Sequence, residues 1–434
     1  MTDGPPAASI ERFRDWRFGL FVHWGLYALP ARHEWVKNRE KLTDEDYQPY
    51  FDHFEPDLYD PREWARAARA AGMRYAVLTT KHHEGFCLWD SAVSDYTVAH
   101  TAWGAGKDLV RQFVEACREE GLGIGFYHSL IDWHHPEFPI DIYHPQRDDE
   151  EAIAKAAGRD VQVYADYLHA QTRELLTNYG QIDLMWFDFS YPGRNHPDGR
   201  DGHGKGRDDW RSEELMALVR ELQPGILIND RLDIPGDFVT PEQYQPDGPM
   251  ERDGKPVLWE ACQTLNGSWG YDRDNLDWKS PELLVKMLVD SVSKDGNLLL
   301  NVGPTARGEF DPRALATLAS IGEWTRLHER AFRGARPATD FTAPTDTRYT
   351  QRGDRLYLHL FSWPMGHVHL PGLAGKVKYA QLLNDASEIH RIIPDAATEH
   401  HNTSMGAAGA GVLTLKLPIQ KPDVLVPVIE LFLH

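Results

Sequence analysis

Short apolar runs alternate with helical periods from about residue 18 to residue 333. The run 18–24, Phe-Gly-Leu-Phe-Val-His-Trp, predicts a first strand. Asp60, Pro61 and Glu63 then sit where an N-cap, a first helical position and an N3 carboxylate belong, and Gly72 is the natural stop. A second strand is predicted at 75–80. Leu109, Val110, Phe113, Val114 and Cys117 recur at helical spacing before Gly121. A third strand follows at 123–128. Tyr164, Leu168, Leu175, Leu176 and Tyr179 mark a long helix, and the fourth strand, 184–187, stops on Asp188. A helix near 212–222 leads into a fifth strand at 226–231.

The alternation then falters. Between Arg231 and Ser280 there are extended pieces at 237–242 and 257–260 but no helical period. Order returns with Ser280-Pro281 as a helix start, a last strand at 297–302, and a final helix from Asp311-Pro312. Repeated βα units in this number predict an α/β fold: an irregular (β/α)8-like barrel over 1–335. The stretch 334–345 reads as a linker. Beyond it, 355–361, 376–383, 412–417 and 424–432 alternate or run apolar between turn residues, which predicts a small C-terminal antiparallel β-sandwich over 336–434.

Composition narrows the function classes. Of 434 residues 41% are hydrophobic and 26% charged, and the net charge of -20 opposes nucleic acid and anionic membranes as partners. No apolar run approaches the length that crosses a bilayer. The N-terminus carries no basic segment followed by an apolar one, and Cys87, Cys117 and Cys262 have no CxxC spacing. The expectation is a cytoplasmic protein with reduced, buried thiols. An acidic barrel with an added sandwich is also compatible with a homo-oligomer.

In a parallel barrel, chemistry sits at the C-terminal ends of the strands. Those ends here offer His23; His82 and His83; Tyr127 and His128; Asp188; Asp230 and Arg231; and, from the later pieces, Glu242, Glu260 and Trp269. Such a set suits a polyhydroxylated ring: imidazoles and Arg donate to hydroxyls, and aromatics stack on the apolar face. Two carboxylates suffice to cleave a glycosidic bond, one attacking the anomeric carbon and the other handling the leaving-group proton. Singly, each residue has a plainer reading. His23 could be a core histidine, Arg231 could merely hold a loop, and His82 and His83 cannot both face one way on a strand. A metal centre is disfavoured, because strand one lacks a His-x-His pair and no HExxH occurs. No organic cofactor is required.

Taken in order, the Phe18–Gly25 strand, Glu34-Trp35, Thr80-Lys-His-His-Glu-Gly-Phe86, Trp186-Phe-Asp188, Asn229-Asp-Arg231, Thr240-Pro-Glu242, Trp259-Glu260, Ser268-Trp-Gly-Tyr271 and Gly296–Pro304 resemble the α-L-fucosidases of glycoside hydrolase family 29. The resemblance implies a retaining exo-α-L-fucosidase acting on fucosylated glycans. It implies Asp188 as nucleophile, Glu242 as acid/base with Glu260 in reserve, and His23, Glu34, Trp35, His82, His83, Tyr127, Arg231 and Trp269 as residues that hold the sugar. Asp188 beside Arg231 is expected to stay ionised, and Glu242 to be kept protonated by burial or by the charge of Asp188. The alternatives are a non-catalytic fucose-binding barrel, another glycosidase such as a galactosidase, and transfucosylation as the working reaction. The Gly-rich loop 192–209 is expected to be mobile and to line the leaving-group side.

Overall fold

The computed structural model describes residues 4–194, 204–392 and 411–434, so that 195–203 of the 192–209 loop lie outside the described residues. Eight parallel strands form the barrel: β1 (Phe18–Val22), β2 (Tyr75–Lys81), β3 (Gly123–Ser129), β4 (Leu184–Asp188), β5 (Leu227–Ile228), β6 (Phe238–Val239), β7 (Leu258–Thr264) and β8 (Asn297–Val302). Their order is β5-β4-β3-β2-β1-β8-β7-β6. A single parallel bridge between Asn229 and Phe238 joins the two ends.

The strands are buried throughout because alternate side chains face two different cores. Phe21, Tyr75, Tyr127, Leu184, Trp186 and Leu299 fill the barrel interior, and Phe13 of the N-terminal helix Ala7–Trp16 joins them from below. Leu20, Val22, Leu78, Phe126 and Met185 pack outward against the helices. Large rings fit inside because glycines face them: a Cβ at Gly123 would stand 2.2 Å from the Trp16 ring.

The helices begin and end where their caps dictate. Asp60 accepts from the Arg62 amide ahead of Pro61–Ala70, Ser280 accepts from the Leu283 amide ahead of Pro281–Ser293, and Gly72 takes φ +90° at the first of these stops. Helices Leu109–Glu119, Val161–Asn178, Ser212–Leu222 and Pro312–Phe332 lie where their apolar periods put them. As expected, no helix separates β5 from β6 or β6 from β7 among the described residues; a two-stranded hairpin, Glu251–Arg252 with Lys255–Pro256, stands there instead. No helix among the described residues is long and apolar enough to cross a membrane.

Among the described residues the C-terminal part holds two antiparallel sheets, one of five strands and one of three. Leu356, Leu358, Leu370, Leu415, Ile429 and Leu431 form the core between them. The supposed linker is not free of structure: Arg336–Pro337 pairs with Thr347–Arg352. The sheets sit directly on the barrel's last helix, since Trp324 Nε1 donates to Val426 O over 2.7 Å and Tyr357 and Val428 join the barrel's outer core. All three cysteines are buried and unbridged.

Candidate active site

At the C-terminal ends of the strands a cavity of about 100 Å³ opens. Nine of the residues singled out from the sequence line it: His23, Trp35, His82, His83, Tyr127, Asp188, Arg231, Glu242 and Trp269. Phe21, Trp186 and Phe189 complete its wall.

Asp188 closes β4, paired in register with Ser129, so that Tyr127 lies across from Trp186, two residues below and on the same face. The Tyr127 hydroxyl donates to Asp188 Oδ2 at 2.8 Å, and Arg231 Nη1 donates to Oδ1 at 3.1 Å. Arg231 Nη2 donates to Glu242 Oε2 at 2.8 Å, so one guanidinium holds both carboxylates. The guanidinium is itself fixed: its Nε donates to Thr240 Oγ1 at 2.8 Å, and Thr240 donates to Asp230 at 2.9 Å. Burial, with the charge of Glu242 added, pushes Asp188 up to about 6 in spite of Arg231 and Tyr127. It is therefore less firmly ionised than Arg231 alone would make it. Glu242 also departs from expectation, because its side chain is 41% exposed and ion-paired rather than buried.

The histidines are set by their back sides. Asn301 Nδ2 donates to Trp269 O at 2.7 Å, which turns Asn301 Oδ1 toward His23 Nδ1 at 2.6 Å. Ser129 donates to Ile131 O at 2.7 Å, so its oxygen accepts from His83 Nδ1 at 2.6 Å. Both rings thus carry the proton on Nδ1 and leave a lone pair on Nε2. Burial drives His23 down to about 3 and holds His82 and His83 below the usual range, so all three are neutral. With Nδ1 engaged, Nε2 of His23 and of His83 is an acceptor and not a donor. His82 and His83 both reach the cavity because β2 ends at Lys81, and strand alternation no longer applies to them. His128 remains in β3 and faces away, against Trp89.

Two residues stand apart. Glu34 is buried and spends Oε2 on the Gly270 amide at 2.7 Å, which anchors the loop carrying Trp269. Glu260 is fully buried beneath the floor, accepting from the Tyr75 hydroxyl and from Trp186 Nε1 at 3.3 Å. Neither lines the cavity as it stands. Ser129, Thr240 and Asn301 were missed from sequence, having no signal of their own beyond lying at or near strand ends. Glu84 was missed too. It is buried behind His82, with Oε2 3.8 Å from His82 Nδ1, and neither of its oxygens has a hydrogen-bond partner among the described residues. Among those residues no three His, Cys, Asp or Glu side chains stand together as a metal-ligand set.

The arrangement is a floor of neutral imidazoles and aromatic rings with two carboxylates on one arginine. The sequence profile of the α-L-fucosidase family matches residues 6–330. The chain belongs to the α-L-fucosidase family. It is accordingly a glycoside hydrolase. Among solved structures, α-L-fucosidase isoenzyme 1 from Paenibacillus thiaminolyticus superposes with a TM-score of 0.89 at 45% identity, covering 98% of this chain and 99% of that one. An α-L-fucosidase of family GH29 from Bacteroides thetaiotaomicron, trapped as a covalent intermediate with 2-fluoro-fucosyl fluoride, gives 0.82 at 27% identity over 100% and 98%. Tissue α-L-fucosidase of Bos taurus is 29% identical over 380 residues, 81% of this chain and 75% of that protein. Membership of this α-L-fucosidase family accords with the eight-strand barrel and the C-terminal sheets described above.

Proposed function

We propose that the protein is a retaining exo-α-L-fucosidase that removes terminal fucose from fucosylated glycans by double displacement. The observation that carries this reading is Arg231, which holds Asp188 at the end of β4 and Glu242 at the mouth on its two terminal nitrogens. The Asp188 carboxylate attacks the anomeric carbon while Glu242 gives its proton to the departing oxygen. A covalent fucosyl ester forms and the leaving group departs as an alcohol. Glu242 then takes a proton from water, which attacks the same carbon and frees Asp188. The trapped covalent intermediate of the Bacteroides relative supports the two-step route.

The floor fits the sugar. Phe21, Tyr127, Trp186 and Trp269 offer apolar surface for the C5 methyl group, and the free Nε2 atoms of His23 and His83 accept from ring hydroxyls. The test is an Asp188→Gly variant assayed on 4-nitrophenyl α-L-fucoside with and without azide. Turnover should collapse by about 10⁴-fold or more and return with azide as the β-fucosyl azide. Unchanged turnover in the variant would refute the nucleophile. Turnover of the matching galactosides, and not of the fucoside, would refute the substrate.

A further inference from the structure

Phe189, next to Asp188, has φ +82°. That is left-handed backbone, which an aromatic residue occupies only at a cost and only where its surroundings enforce it. Its surroundings are rings. The Phe189 ring centre lies 5.0 Å from that of Trp35 and 4.9 Å from His83 on the cavity side. On the other side it lies 4.9 Å from Tyr143 and 5.3 Å from Tyr191. Trp35, His83 and Phe189 line the cavity, whereas Tyr143 and Tyr191 do not. Phe189 therefore stands on the border, where one continuous aromatic strip leaves the cavity.

The outer end of the strip is built rigidly. Buried Asp141 accepts from the Tyr191 hydroxyl, from Lys205 Nζ at 2.8 Å, and from the Tyr143 amide at 3.0 Å. Asp141 and Lys205 neutralise one another behind the rings, so the strip presents no net charge. Trp35, Tyr143 and Phe189 are each only partly buried, which leaves ring surface open. A preorganised, uncharged aromatic surface suits the C–H face of a neutral sugar.

We propose that Phe189, backed by Tyr143, is a specificity-determining platform on which a pyranose attached to fucose stacks as the leaving group. This rests on the fucosidase reading above. The backbone cost at residue 189 is then the means of aiming a ring at the leaving group while Asp188 stays in the strand.

The test compares kcat/KM on α-L-fucosyl disaccharides (1→2 to galactose, 1→3 and 1→4 to N-acetylglucosamine) with kcat/KM on α-L-fucosyl fluoride, whose leaving group has no surface to stack. Phe189→Gly relieves the backbone, since glycine accepts this φ freely, and removes the ring. Tyr143→Ala removes the backing without touching the neighbour of Asp188. For the disaccharide the wild type prefers, the ratio of disaccharide to fluoride kcat/KM should fall about tenfold in each variant. A ratio that holds within threefold in either variant overturns the platform. Absence of fluoride turnover in the wild type overturns the fucosidase reading, and the platform with it.

Discussion

Tyr127 gives its hydroxyl proton to Asp188 Oδ2 over 2.8 Å, from the strand next door. That bond favours the ionised carboxylate, against burial that pushes Asp188 up to about 6. Tyr127→Phe removes it. The acidic limb of the kcat/KM profile, expected near pH 6 in the wild type, should then move upward, and the plateau should fall about tenfold, the effect of one hydrogen bond to a charged group. A limb that stays in place would mean that the titrating group is not Asp188.

Glu242 and Glu260 should separate on leaving-group dependence. Glu242→Ala should cost little on 4-nitrophenyl fucoside and roughly 10²–10⁴-fold on a fucosyl disaccharide, where the departing oxygen needs a proton. Glu260 sits under Trp186, out of the cavity, so Glu260→Gln should change both substrates by the same small factor. A selective loss on the disaccharide in Glu260→Gln would reverse the assignment.

Gly303 does not line the active-site cavity, yet a Cβ there would lie 2.6 Å from Gly270 C and 2.8 Å from Trp269 O. Gly303→Ala should push the Trp269 loop away and break its tie to Asn301, and with it the tie that orients His23. Overpacking of this kind costs about 1–3 kcal/mol. The expected readouts are a lower Tm and a KM for 4-nitrophenyl fucoside raised about tenfold with kcat less affected.

Glu84 makes stability depend on pH. Burial pushes its carboxyl up to about 8 in the folded protein, whereas the unfolded chain loses that proton near the ordinary glutamate value. The folded state therefore binds more protons between those two values, and stability falls as pH rises through them, by up to about 1.4 kcal/mol per unit. Glu84→Gln keeps the shape and removes the titration. Denaturation at pH 5 and pH 8 should give a smaller drop for the variant than for the wild type. An equal drop would place the pH dependence elsewhere.

What the sequence displayed follows from how strongly each element is buried. β3, β4 and β8 each hold a short apolar run because both faces are covered, so their ends, and hence Tyr127 and Asp188, could be read directly. The fifth strand, predicted over 226–231, pairs over only two residues, and β6, also of two residues, gave only an extended piece. Helix Ala7–Trp16 went unread because its N-cap position is Pro6, which makes no side-chain cap. Helix Asp44–Asp52 was also overlooked, although Thr43 and Asp46 form a capping box, because its apolar stripe is thin. In the C-terminal sheets, His367–Leu370 and His390–Ile392 carry too many polar residues to read as strands. At the site, the residue types were legible and their protonation was not. Which nitrogen of His23 carries hydrogen depends on Asn301, which lies 278 residues away along the chain.

The barrel's one-bridge closure, Asn229 to Phe238, divides the two carboxylates. Asp188 is mounted on a strand paired on both sides, while Glu242 sits on irregular chain beyond the seam, tied to β7 by a bridge to Cys262 and by the side chain of Gln243 on Thr264. On the double displacement proposed above, the attacking carboxylate is anchored in the frame of the sheet and the proton-handling one in a loop, and the Arg231 guanidinium is the strut between them.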